Sequence, residues 1–312
     1  MKRKILWVGG ILLVLFFAAG TFGLWSASSQ LLFPAWRGIT KDLAVCPAEA
    51  ERHWGKHCGN LRQSGELKFE EIGFANAAGG QLPGWLIQTT KNGFGKSAGA
   101  ILLVHGGGSD RREMTRFIRF YLAQKLDVLT FDYSCHGEAP CSVPGLSYGE
   151  RESQDVVAAY DFLKGKYAHI YAMGSSVGAA AVLMALPQLD GIAGIIAENS
   201  PYSFSRLIFE TPAAPKGMPV WFTQRLIVLS EWRGKFGSHS DAGKILAGTK
   251  SAKIFFIHSK ADTIVPWHHA EQLAAAYNGP KALWLPEYGD HGAIWDAKPQ
   301  EYERRVRDFL AE

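Results

Sequence analysis

With 47% hydrophobic and 20% charged residues over 312 positions, the chain has the make-up of a globular protein that buries a substantial core in one large domain or two small ones. Lys2, Arg3 and Lys4 supply most of the formal net charge of +4, so the rest of the chain is nearly neutral. A near-neutral body excludes the basic surface that a nucleic-acid partner would require.

The first element in chain order is apolar. After Lys2-Arg3-Lys4 comes "ILWVGGILLVLFFAAGTFGLW", Ile5 to Trp25, and no charge follows until Arg37. Roughly 20 apolar residues suffice to span a bilayer as a helix. A cleaved signal peptide is the alternative, but its apolar region is usually only about 7–15 residues long, and "SASS" at Ser26–Ser29 is a weak cleavage site. Residues 1–36 are therefore expected to be an uncleaved signal anchor and its flank. The basic start leaves the amino terminus in the cytoplasm. The expected localisation is then the cell membrane, single-pass, with the main domain on the extracytoplasmic (periplasmic or extracellular) side and Phe33–Trp36 near the outer boundary.

Residues 37–66 form a lead-in segment with two of the four cysteines. Disulfides persist in oxidising compartments, and proximity in sequence suggests Cys46–Cys58 and Cys135–Cys141 out of three possible pairings. A zinc site using His53, His57 and His136 is the rival, although its spacing matches no metal motif.

From residue 67 to 312, short apolar runs alternate with longer helical patterns. Strands are expected at Lys68–Phe74, Leu82–Gln88, Ala100–His105, Asp127–Tyr133, His169–Met173, Gly191–Glu198, Lys253–His258 and Ala282–Leu285. Runs such as "AILLVH" and "KIFFIH" are continuously apolar, as in strands covered on both faces. Helices are expected in "ERESQDVVAAYDFLKGK", in "VGAAAVLMAL" from Val177 to Leu186, in "PWHHAEQLAAAYNG" and in "PQEYERRVRDFLAE". This rhythm predicts an α/β fold with a mainly parallel sheet and helices on both faces. Residues from about 201 to 248 interrupt it and are expected to form a small cap insertion.

Gly174-Ser175-Ser176-Val177-Gly178 fits G-x-S-x-G with Ser176 at its centre; Ser175 would put Met173 and Val177 at the glycine positions. The motif needs a strand before it and a helix after it, and both are expected here. The chain reverses so sharply at the serine that side chains two residues to either side would collide, which accounts for Gly174 and Gly178. Val177 N–H then lies at a helix amino terminus, where partial positive charge favours an oxyanion.

A serine needs a base, and the base needs an acid to fix its tautomer. Asp262 follows one apolar strand in "FIHSKADTIVP" and His291 follows the next in "LWLPEYGDHGA". Upstream, "AILLVH" ends in His105-Gly106-Gly107-Gly108. Gly107 N–H is the expected second oxyanion donor, with Gly108 possible, and His105 is expected to be structural.

These landmarks, "LLVHGGG", "LTFDYSCHGEAP", "GSSVG", "AENSPY", "FIHSKADTIVP" and "GDHG", resemble those of the α/β-hydrolase superfamily in order and spacing. The similarity is greatest to bacterial membrane-anchored members related to prolyl-oligopeptidase and dienelactone-hydrolase types. It implies an eight-stranded, mostly parallel sheet and a Ser176–Asp262–His291 triad. Two departures stand out: Ser134-Cys135-His136-Gly137 replaces an Arg-Gly-His-Gly-like run, and His258-Ser259 replaces His-Gly before the acid.

Several residues compete for roles. Glu198 ends a strand where some relatives keep the acid, but Asp262 carries the fuller match. Asp290 is expected to be structural or solvated, Asp132 to fix a loop, and His136 is the other histidine to test. His268 and His269 are expected on a surface helix without chemistry. Phe204, Trp221, Phe222 and Trp232 are expected to pack the cap core, with lining of an acyl pocket as the second option. The expected function is serine hydrolysis of an ester or related acyl bond through an acyl-enzyme intermediate, with no metal or organic cofactor. The expected partners are a small-molecule or lipid-like acyl substrate and, through the amino-terminal helix, the membrane. A serine peptidase or amidase is the alternative among enzymes, and a non-catalytic membrane-tethered binding module the alternative outside them.

Overall fold

The computed structural model describes residues 20–34, 42–46, 48–237 and 241–312. Eight strands form one sheet: β1 (Glu70–Ala75), β2 (Gln81–Ile87), β3 (Gly99–Val104), β4 (Leu126–Phe131), β5 (Ile170–Ser175), β6 (Gly194–Glu198), β7 (Ile254–Ile257) and β8 (Lys281–Trp284). Their order across the sheet is β1-β2-β4-β3-β5-β6-β7-β8. β2 runs antiparallel to both β1 and β4, and every other neighbour pair is parallel.

Covering both faces explains the continuous apolar runs. Along β3, Ala100, Leu102 and Val104 enter one core cluster, and Ile101 and Leu103 enter the other. The first cluster packs beneath the helices Glu150–Lys164, Val177–Ala185 and His268–Ala276, and the second beneath Ile118–Ala123 and Pro299–Ala311. Consecutive side chains of a strand point to opposite faces, so a strand sandwiched between two helical layers is apolar at most positions. Between β6 and β7, residues 201–248 supply the helices Phe204–Glu210, Val220–Gly234 and Ala242–Ala247.

The amino-terminal expectation is corrected. Residues 1–19, which hold most of the apolar run, lie outside the described residues. Residues 20–32 are helical, and no helix among the described residues is long and apolar enough to cross a membrane. This helix is committed to protein: Ser28 and Leu32 are buried, and Leu24, Ala27 and Leu31 pack on the first core cluster. Ser230 donates a hydrogen bond to Ser28 at 3.1 Å. Arg233 donates to the Trp25 carbonyl at 2.9 Å and sits 3.7 Å from its ring centroid. The expected spanning helix, and the single-pass membrane localisation built on it, are corrected because no such helix is present among the described residues. An apolar run that docks on a protein core has the same hydropathy as one that docks in lipid.

The disulfides pair as expected. Cys46–Cys58 closes the lead-in segment and Cys135–Cys141 closes the loop after β4.

Candidate active site

β5 ends at Ser175, and the helix Val177–Ala185 begins two residues later, so the whole reversal is carried by Ser176. Its φ of 54° and ψ of −117° are strained for a residue with a Cβ, a cost on the order of 1–3 kcal/mol. The Ser176 amide donates to the Glu198 carbonyl on β6 at 2.8 Å, which holds the turn. The two glycines are required by close approach, but not both for the expected reason. A Cβ on Gly174 would lie 2.5 Å from the Gly178 oxygen and from Ala179 N, across the turn. A Cβ on Gly178 would instead meet β3, 2.3 Å from the His105 carbonyl oxygen and 2.5 Å from that of Val104.

The carboxyl ends of parallel strands bring the other groups to the same edge. His291, in the loop after β8, accepts the Ser176 hydroxyl at Nε2 over 2.9 Å. Its Nδ1–H donates to Asp262 Oδ2 over 2.7 Å. Asp262, in the loop after β7, accepts the amides of Ile264 and Val265 at Oδ1, each at 2.8 Å. His258 adds a contact that sequence reasoning missed: its Nε2–H is shared between the Val265 carbonyl at 2.9 Å and Asp262 Oδ2 at 3.2 Å. Burial opposes ionisation of Asp262, but His291 and the His258 hydrogen bond outweigh it and hold the carboxyl below its usual range. For His291, burial works against the charged form, and the adjacent Asp262 carboxylate overcomes it, so its pKa is raised.

The competing acids lie elsewhere. Glu198 is fully buried on β6 and accepts the Tyr302 hydroxyl at 2.6 Å; burial pushes its pKa up. Asp290 accepts the His291 amide at 2.7 Å and both the amide and the hydroxyl of Thr263. Asp132 pairs with buried Arg111 at 2.5 Å and accepts its amide at 2.7 Å. Both aspartates fix loops, as expected of Asp132.

The glycine-rich loop after β3 presents three consecutive amides. Gly106 N–H donates to Glu113 Oε2 and Gly108 N–H to His136 Nε2, each at 3.1 Å. Among the described residues Gly107 N–H has no acceptor. The Gly108 amide, the other candidate, is occupied by His136. Val177 N–H opens its helix, where the first amides lack intrahelical acceptors.

Trp54, Gly106–Ser109, Glu113, Arg116, Ser175, Ser176, His291 and Gly292 line one cleft. Trp54 belongs to the helix Ala48–Trp54 of the lead-in segment, and sequence reasoning did not place it here. The segment is docked by Arg112, which pairs with Asp110 at 2.8 Å and donates to the Leu43 and Val45 carbonyls, both at 2.8 Å. Arg111 and Arg112 are fully buried. Their carboxylate partners, not their own polarity, decide this. The cap aromatics lie away from the cleft. Phe204 is buried against Tyr148 and Phe236, while Trp221 and Trp232 are exposed beside residues 20–32.

His268 is part-exposed as expected, but His269 is fully buried. Both reach Glu210, at 2.6 and 3.1 Å, and among the described residues these three form the cluster whose donor atoms lie close enough to hold a metal. The Tyr202 amide donates to His269 Nδ1 at 3.0 Å, which puts the ring proton on Nε2, facing Glu210. That nitrogen therefore has no lone pair to offer, and the cluster reads as a clip between the cap and the helix His268–Ala276. Of the rival zinc set, His136 is committed to Gly108 and His53 faces Asp296 at 3.4 Å.

With fold and site in place, the class is defined. A model of the alpha/beta hydrolase family matches residues 101–305, and the chain belongs to that family. It is 26% identical over 219 residues to the uncharacterized protein YqkD of Bacillus subtilis, covering 67% of this chain and 70% of that one. It is 23% identical over 247 residues to YfhR of Escherichia coli K12, also uncharacterized, covering 77% and 80%. Among solved structures, the esterase Pf2001 of Pyrococcus furiosus superposes with a TM-score of 0.62 at 21% identity, covering 78% of this chain and 92% of that one. An acetyl xylan esterase from Paenibacillus sp. R4 gives 0.62 at 18% identity, covering 80% and 85%.

Proposed function

We propose that the protein is a serine hydrolase that cleaves an ester bond of a small acyl substrate. The observation that carries this reading is the continuous chain Ser176–His291–Asp262, with donor–acceptor distances of 2.9 and 2.7 Å, at the head of a cleft. The Ser176 hydroxyl oxygen attacks the acyl carbon while His291 Nε2 takes its proton. Asp262 keeps the imidazole proton on Nδ1 and stabilises the imidazolium. The Gly107 and Val177 amides hold the oxyanion. Collapse expels the alcohol, which takes the proton from His291, and leaves an acyl-serine. Water, deprotonated by the same imidazole, then releases the acid and restores Ser176.

The esterase names of the structural neighbours belong to those proteins, and they favour ester over amide as the first substrate to try. Turnover of a panel of p-nitrophenyl esters by wild type and Ser176→Ala tests the assignment. The variant is expected to lose several powers of ten in kcat; wild-type rates in folded Ser176→Ala would remove Ser176 from the mechanism.

A further inference from the structure

The peptide group that carries the Gly107 N–H also carries the Gly106 carbonyl. All peptide bonds among the described residues are trans, so the two ends of this group point in opposite directions. Whatever holds the carbonyl therefore aims the amide. Two buried donors hold it: the Tyr133 hydroxyl at 2.9 Å and His105 Nδ1–H at 2.8 Å. Their rings stack at 4.0 Å between centroids and 11° between planes, and neither is exposed to solvent. Tyr133 lies after β4 and His105 after β3, so adjacent parallel strands deliver both donors to one oxygen.

The donors are fixed in kind as well as in place. Burial raises the Tyr133 hydroxyl well above its ordinary pKa, so it stays protonated. Burial lowers His105 to about 3, so the ring is neutral, and its one proton sits on Nδ1, which faces the Gly106 carbonyl, while Nε2 faces no acceptor. Two donors on one carbonyl polarise the peptide and make its N–H a stronger donor. The neighbouring amides are meanwhile occupied by Glu113 and His136, which leaves Gly107 N–H as the amide of this loop able to turn outward.

We propose that Tyr133 is a positioning residue for the oxyanion site: with His105 it grips the Gly106 carbonyl, and through that one peptide it aims and strengthens the Gly107 N–H. This rests on the serine-hydrolase reading and on Gly107 as an oxyanion donor. Tyr133 does not touch the substrate.

Tyr133→Phe removes the hydroxyl and keeps the ring stacked on His105. Removing a direct oxyanion donor costs about 10²–10³ in kcat, so loss of an indirect support should cost about tenfold. KM should stay within about twofold, and inhibition by a trifluoromethyl ketone, whose serine adduct bears the oxyanion, should weaken by the same factor as kcat. The His291-dependent limb of the pH profile should not move. A second pair reads the other donor: His105→Asn, whose side-chain N–H can replace Nδ1–H, should stay nearer wild type than His105→Leu in both kcat and ketone affinity. Unchanged kcat and ketone affinity in Tyr133→Phe overturns the proposal, even if its melting temperature falls. Ser176→Ala in the same assay separates the two levels. If it abolishes turnover while Tyr133→Phe is silent, only the positioning role fails; if it leaves turnover intact, the underlying reading fails and takes this proposal with it.

Discussion

Ser176 Oγ and His291 Nε2 lie 2.9 Å apart although 115 residues separate them in sequence. The strained turn after β5 lifts the serine, and the loop after β8 swings the imidazole over β6 and β7 to meet it. Each group would be ordinary without the other, and the consequences of the pairing can be measured.

The first is pH dependence. Protonated His291 cannot accept the Ser176 proton, so kcat/KM should rise as pH climbs through the folded-state pKa of His291. Asp262 raises that pKa against the effect of burial, so the midpoint should lie above the ordinary histidine value of about 6.5. In Asp262→Asn burial loses its main opponent, with only the weaker pull of Glu113 and Asp290 remaining, and the midpoint of any residual activity should move to lower pH. A pH–rate profile of both proteins checks the sign.

The second concerns which carboxylate is the acid. Asp262→Asn should lower kcat by about 10⁴, the scale for a triad acid whose loss leaves the wrong tautomer. Glu198→Gln should retain kcat within about threefold, because that side chain bonds Tyr302 and not His291. Steady-state kinetics on the two variants decide between them, and the reverse ranking would move the acid to β6.

Gly178 provides a stability test. A Cβ there would meet two β3 carbonyl oxygens at 2.3 and 2.5 Å, and backbone cannot move aside cheaply. Gly178→Ala should cost about 3 kcal/mol or more, at the upper end for overpacking. Gly165→Ala is the control: its added Cβ meets nothing within 4 Å and its φ is −72°. Its effect should stay within about 0.5 kcal/mol. Urea denaturation of the three proteins gives the comparison.

The lead-in segment gives the fourth prediction. The Cys46–Cys58 bridge, 12 residues apart, anchors the helix that brings Trp54 to the cleft. Replacing both cysteines by alanine should cost about 3 kcal/mol by loop entropy. KM for a p-nitrophenyl ester should rise several-fold, with kcat changed less, and Trp54→Ala should reproduce the KM effect with the bridge intact. A KM unchanged in both variants would remove Trp54 from the substrate site.

All eight strands were legible to within about two residues at most ends, the central ones because a sheet covered on both faces selects uninterrupted apolar runs and the largely exposed edge strands β1 and β8 from shorter apolar stretches. The groups of the candidate site were legible because each follows a strand: Ser176 after β5, Asp262 after β7 and His291 after β8. What escaped depends on docking between distant segments. Trp54 reaches the cleft through a segment docked by Arg112 on the Leu43 and Val45 carbonyls and closed by the Cys46–Cys58 bridge. His258 touches Asp262 across a loop whose fold the three intervening residues do not announce. His269 sits at a helix start that looks solvated, yet Glu210 of the cap covers it. The apolar run after Lys4 failed in the opposite way. Leu24 near its end packs on the protein core while Phe22 and Trp25 stay exposed, and hydropathy alone cannot separate a protein core from a lipid one.

The most direct measurement of the central claim is covalent labelling by a fluorophosphonate, read by intact mass. A phosphonyl group captures an activated serine with loss of fluoride. The folded wild-type protein should gain one adduct, blocked by prior ester turnover conditions that load the acyl-enzyme, and Ser176→Ala should gain none. An unlabelled wild-type protein, or equal labelling of Ser176→Ala, would contradict the account.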